Sequence, residues 1–234
     1  PLTLNAEGRK LSKRDGVTSI NDFRSMGYTP DAIGNYMTLL GWSVPEGMEE
    51  RFSLAQAAEV FSFDRVNKAG ARFDWDKLNW LNAQVLHALS PEQLLDALQP
   101  LWGEQGWSVP SDRAWALALA ELLGPSLTLL KDGIDQAAPF FSEPALESDA
   151  LAQLEVDGAR PALQALISLL DNDPWDGLDP DRGKELLGAA VKEAGVKKGV
   201  LMKTLRGALL GRLQGPDLMS TWGLLARLGC DRQR

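Results

Sequence analysis

The chain has 234 residues, 44% of them hydrophobic and 24% charged, with a formal net charge of −8. That is ordinary globular composition, long enough for one large or two smaller cores. No apolar run approaches the ~20 residues of a membrane span. One cysteine, Cys230, excludes an internal disulfide, and one histidine, His87, leaves no Cys/His cluster for zinc. These features fit a reducing cytoplasm, with no metal site and no membrane contact, and the chain is expected to be a monomer that does not bind DNA.

In chain order, "PLTLN" is predicted to be a short strand, although nothing after it offers an obvious partner. The chain opens at Pro1 without a methionine, which predicts a piece of a longer protein cut just before the next feature. That feature is "EGRKLSKRDG", where Arg9, Lys10, Lys13 and Arg14 lie between Gly8 and Gly16. Two readings are open for it: a solvated surface turn, or a mobile loop for a polyanion such as a phosphate.

Helical signals then follow one another. Thr18 or Ser19 caps "INDFRSM", which ends at Gly27, and Thr29 with Pro30 opens "DAIGNYMTLLGW". "SLAQAAEVF", "DWDKLNWLNAQVLHAL" and "SPEQLLDALQPLW" continue the 3–4-residue apolar spacing. His87 reads as a packing or surface histidine, and Trp42, Trp75 and Trp80 as core. Glycine and proline density around 103–110 predicts a boundary. Beyond it, "SDRAWALALAELLG", "PSLTLLKDGIDQAAPFF", "ESDALAQLEVDGARPALQALISLL", "DRGKELLGAAVKEAG", "KKGVLMKTLRGALLGRL" and "GPDLMSTWGLLARLG" each predict an amphipathic helical stretch. No repeat period appears, so an irregular bundle is expected rather than a solenoid.

Charge is uneven. Thirteen acids between Asp132 and Glu185 face only Arg160, Arg182 and Lys184. Lys197, Lys198, Lys203, Arg206 and Arg212 follow without an acid among them. Such a stripe either neutralises several phosphates or balances its acidic neighbours.

"LNAEGRKLSKRDG" resembles the lysine-rich signature loop of class I aminoacyl-tRNA synthetases, in the form found in bacterial glutamyl-tRNA synthetases. The resemblance continues through "VTSINDFRSMGYTPDAIGNYMTLLGW", "FSFDRVNKAGARFDWDKLNWLN" and "LMKTLRGALLGRLQGPDL". It implies a mainly α protein in three parts. Residues 1–16 would be the tail of a catalytic domain with its strand and loop, 17–102 a stem-contact domain, and 103–234 a cage-like helical anticodon-binding domain. The implied activity of the full-length protein is glutamate–tRNA ligation with ATP and magnesium.

By the same resemblance Lys13 reaches the ATP phosphates, Lys10 supports it, Ser12 holds the loop, and Arg14 replaces the general signature's second serine. A mobile lysine suits charge that accumulates on phosphates during activation. The second signature of the class needs paired histidines, which one histidine cannot supply. The chain alone is therefore expected to bind no ATP and to charge no tRNA.

Arg206 matches a family arginine that meets the anticodon loop, and Gly215 stands where some relatives have threonine. Leu218 matches a leucine at the first anticodon base, with an apolar helix-capping contact as the other open reading. Ser126 aligns with an arginine associated with rejecting G at the third anticodon base. On that alignment the parent enzyme is non-discriminating and charges glutamine tRNA as well as glutamate tRNA. Arg65, Lys68 and Arg72 are the stem-phosphate candidates. The competing function class is a helical protein-interaction module of the same descent, docking through the acidic 132–185 face.

Overall fold

The computed structural model describes residues 3–12 and 19–233. Among them are twelve α-helices and a single two-stranded sheet. The mainly α expectation holds, and the chain divides into two compact units. Unit 1 is Pro1–Leu98 with Gly124–Gly133, and unit 2 is Gln99–Leu123 with Ile134–Arg234.

Unit 1 begins with the expected strand, β1 (Thr3–Leu4), and it does have a partner. β1 pairs in parallel with β2 (Ala71–Arg72), with Thr3 opposite Ala71 and Leu4 opposite Arg72. The sequence hid this partner because two residues carry no readable alternation and the pairing is distant along the chain. Helix α1 (Ile20–Met26) starts at Ser19, which forms a reciprocal capping box with Asp22, and ends at Gly27 in the left-handed region (φ 96°). The other cap considered, Thr18, lies outside the described residues.

Helix α2 (Pro30–Gly41) is capped by the Thr29 hydroxyl, α3 (Leu54–Val60) by Ser53, and α4 (Trp75–His87) by Asp74. Phe23, Tyr28, Ile33, Tyr36, Phe73, Leu78 and Leu81 form one core cluster, and Trp42, Phe52 and Ala57 a second. Buried amides stitch these elements together. Asn82 Oδ1 accepts from the Thr29 N–H (2.8 Å) and its hydroxyl (2.9 Å), while Asn82 Nδ2 donates to the Thr128 carbonyl (2.6 Å). His87 is an exposed surface residue whose Nε2 lies 2.9 Å from the Leu127 carbonyl.

Helix α5 (Pro91–Glu104) runs through the division at Leu98, ahead of the Gly/Pro-rich stretch. Helix α6 (Arg113–Leu123) follows. The next stretch was expected to be helical from Pro125, yet only a 3₁₀ turn (Gly124–Ser126) forms before α7 (Asp132–Phe141). The Asp132 carboxylate accepts from the N–H groups of Thr128 (3.1 Å) and Leu129 (2.7 Å), and Leu130 N–H donates to Gly27 O (3.0 Å). Those bonds hold 127–130 in a non-helical course.

The single stretch expected over 147–170 splits into α8 (Ser148–Leu154) and α9 (Ala159–Asn172) at Gly158, whose φ is +80°. Helices α10 (Pro180–Ala194), α11 (Lys198–Leu210) and α12 (Leu218–Arg227) complete unit 2. Close backbone approach marks this unit. A Cβ on Gly177 (φ +79°) would lie 2.0 Å from the Gly223 carbonyl oxygen, and the Trp175 and Trp222 rings meet edge to face at 4.4 Å.

Candidate nucleic-acid interface

In unit 1, Asn5 organises the approach to the basic loop. Its Oδ1 accepts from Glu7 N–H (3.1 Å) and Arg9 N–H (2.9 Å), and its own N–H donates to Arg9 O (2.7 Å). Gly8, with φ +75°, completes this tight turn. The glycine therefore serves a defined turn. Arg9 is tied to Glu7 at 2.7 Å, but both groups are exposed and such a pair contributes little.

The chain then returns along β1. Lys10 bridges antiparallel to Leu4, and Leu11 N–H donates to Thr3 O (2.9 Å). Leu11 packs toward the core while Lys10 and Ser12 are exposed. Leu4 thus has Lys10 on one side and Arg72 on the other. Directly paired residues share a sheet face, so two exposed cations stand in one row about 10 Å apart. Lys13 and Arg14 lie outside the described residues.

Arg65, Lys68 and Arg72 are all exposed. Arg65 ends a 3₁₀ turn (Phe63–Arg65) and donates from Nη1 to the Val44 carbonyl (3.2 Å). None of the three forms an ion pair among the described residues. Arg72 also lines a cleft of about 410 Å³ with Trp42, Ser43, Asn67 and Lys77. Trp42 and Trp75 pack in or against the core, but Trp80 is 45% exposed with Lys77 Nζ 4.9 Å from its ring centroid. The apolar ring of Trp80 suggested a place in the core, although it falls off the Trp75, Leu78, Leu81 and Val85 stripe. At 3.6 residues per turn it stands nearly opposite Leu78, on the same face as the exposed Asp76 and His87.

In unit 2, Arg206, Gly215 and Leu218 come together at the α11–α12 turn. Arg206 is half-buried and donates from Nη1 to the Pro216 carbonyl (2.6 Å). Gly215 has φ +149°, and a Cβ there would lie 2.8 Å from Leu210 Cδ1 and 3.7 Å from Arg206 Nη1. A threonine at 215 would need a different backbone. Asp217 caps α12, and the bond its carboxylate accepts from Ser220 N–H (2.9 Å) is the largest cause of its lowered pKa.

Leu218 is 3% exposed, at the first position of α12. Of the two readings open for it, the apolar anchor is the one this geometry fits, because the side chain presents no surface to a base. Lys197, Lys198 and Lys203 are exposed at and near the start of α11. Ser126 is also exposed and belongs to unit 1 through the 124–133 segment, and the Arg206 turn belongs to unit 2.

Comparison with known proteins places this arrangement in a class. Residues 93–230 match the family model of the anticodon binding domain, and the chain belongs to that family. Residues 1–80 match the catalytic domain model of class I tRNA synthetases (E and Q), well past the sixteen residues expected of a catalytic tail. The particular relatives are glutamate--tRNA ligases. The chain is 73% identical to that of Parasynechococcus marenigrum and 67% identical to that of Prochlorococcus marinus, covering all of this chain and 49% of each relative. It thus spans about half the length of the curated relatives it matches. The crystal structure of a glutamate tRNA ligase from Elizabethkingia meningosepticum in complex with its amino acid superposes with a TM-score of 0.81 at 27% identity. That match covers 99% of this chain and 50% of the other.

Proposed function

We propose that this chain is the tRNA-binding portion of a glutamate–tRNA ligase, a protein that activates glutamate with ATP and transfers it to tRNA. The observation that carries this reading is the end-to-end similarity to glutamate--tRNA ligases, with the anticodon-binding match over 93–230. On this reading residues 17–102 meet the tRNA stem through Arg65, Lys68 and Arg72, and residues 103–234 meet the anticodon through the Arg206 turn. Phosphate contacts from the first group hold the RNA in register without reading sequence. Backbone groups of the 215–217 turn, braced by Arg206, are presented to unpaired bases.

The exposed Lys10 and Ser12 fit a polyphosphate chemically, with Lys13 and Arg14 beside them in sequence. ATP with magnesium, bound in the full-length protein, would supply the phosphoanhydride bond whose cleavage activates glutamate. The part of the chain is to hold and neutralise the phosphates. The chain alone forms no glutamyl-tRNA, because His87 is its one histidine and is a surface residue of α4.

The test mixes the chain with tRNA at two salt concentrations, then adds glutamate and ATP. Salt-dependent tRNA binding without charging is expected. Absence of binding at low salt would overturn the reading, and charging by the chain alone would overturn its catalytic part. Non-discrimination rests on Ser126, whose short exposed side chain leaves room that an arginine would fill. In the full-length enzyme, competition between glutamate and glutamine tRNAs before and after Ser126→Arg tests it. A wild type that already rejects glutamine tRNA refutes it.

A further inference from the structure

Phe63 is 84% exposed, the most exposed of the large hydrophobic residues described. Its ring is nevertheless held in place. Ser62 caps the 3₁₀ turn that carries it, with Asp64 N–H donating to Ser62 Oγ (3.3 Å). Ser43 N–H donates to Arg65 O (3.0 Å), and Val66 bridges to Trp42. Phe63 meets Phe61 edge to face at 5.2 Å, and Phe61 stacks at 6.1 Å and 26° on the buried Trp42. A three-ring ladder therefore climbs from the core to a ring standing in water.

In sequence the ring lies between Glu59 and a stretch richer in cations than in acids. Asp64 is the sole acid between Ser62 and Asp74, against Arg65, Lys68 and Arg72. Arg65 and Lys68 lie two and five residues from Phe63, within about 17 Å along even an extended chain. An exposed aromatic ring beside an arginine suits a protein surface or a nucleotide, and the cations that follow it in sequence, not ion-paired among the described residues, favour the nucleotide in this setting. A nucleotide fits it well, because its base offers a π-face to the ring and its phosphates lie within reach of the cations. In a duplex the base faces are covered, so the fitting nucleotide is unpaired.

We propose that Phe63 is a stacking platform for an unpaired nucleotide of bound tRNA, with Arg65 and Lys68 on the flanking phosphates. This rests on the tRNA-binding reading above. The test measures tRNA affinity of the chain and of Phe63→Ala, Phe63→Leu and Phe63→Tyr at two salt concentrations. The ring is exposed, so all three should fold, which unchanged thermal melting would verify. Ala and Leu should each weaken binding roughly five- to thirty-fold with an unchanged salt slope, while Tyr should bind as the wild type does.

If Leu binds as tightly as Phe, the ring supplies apolar contact of the kind a protein seat would use, and stacking is refuted. If Ala binds as tightly as Phe while the wild type binds tRNA, the stacking role alone is overturned. A wild type without tRNA affinity would overturn the underlying reading and this one with it.

Discussion

The two units hold themselves together by different means. Unit 1 is stitched by buried polar side chains: Asn82 serves three partners, Asn35 donates to Glu50 O (2.9 Å) and accepts from Phe52 N–H (3.1 Å), and Tyr36 Oη accepts from Asp74 N–H (2.6 Å). Unit 2 has such a bond from Trp115 Nε1 to Leu224 O (2.8 Å), and adds small residues that let backbones approach, as at Gly177 against Gly223 and Gly211 against Ala145. Their cations differ in the same sense. Lys68 and Arg72 stand in solvent and Arg65, though exposed, donates to the Val44 carbonyl (3.2 Å), whereas Arg206 is half-buried and donates a guanidinium N–H to Pro216. A basic residue in unit 1 can be available to phosphates without being structural. In unit 2 the basic residue that best matches the family is structural first, and any contact with RNA acts through the turn it braces.

The largest effect should come from breaking the stitching of unit 1. Asn82→Ala leaves the Thr29 N–H, the Thr29 hydroxyl and the Thr128 carbonyl without their partner. A loss of about 3–5 kcal/mol is expected from the denaturant midpoint, since each buried polar group left unsatisfied costs about 1–3 kcal/mol. A change below about 1 kcal/mol would mean that water replaces the amide and that the stitching is dispensable.

The matching break in unit 2 is Gly177→Ala, which places a methyl against a backbone oxygen at a positive φ. About 2–4 kcal/mol should be lost, from strain and overpacking together. A neutral result would show that the Gly177–Gly223 approach can open without cost.

The finest contrast sets Arg206→Ala against Lys68→Ala. The first should lower stability by about 1–3 kcal/mol, the range for a hydrogen bond from a charged donor, and should weaken tRNA binding along with it. The second should leave melting within about 0.5 kcal/mol of wild type and reduce the salt slope of tRNA binding by about 0.7–0.9. If Arg206→Ala melts like the wild type yet loses tRNA affinity, the arginine is a direct contact and the contrast between the units fails.

Much of the helical framework was legible because its signals are local. A cap needs only the hydroxyl or carboxylate and the N–H groups two or three residues on, so Ser19 and Thr29 could be read in place. The resemblance at "KLSKR" and the cationic candidates were legible for the same reason, being matters of residue type and short spacing. The helical spacing of α4 also put Trp80 on the water side, whereas whether Leu218 faces the core was not legible. Helical periodicity gives a face but not what covers its edges.

By itself, then, the sequence determined the helical class, the first caps, the family, and which residues carry charge. Tertiary structure decided the rest. It found β1 its partner across the unit, kept 127–130 out of helix through Asp132, and returned the Ser126 segment to unit 1. It also placed Lys10 and Arg72 on either side of Leu4 and turned Arg206 inward onto Pro216. Each of these outcomes depends on groups far apart along the chain, or on which of several nearby acceptors a donor finds once the backbone is packed. Local propensity fixes what a residue can do, and only the packed neighbours fix which of those things it does.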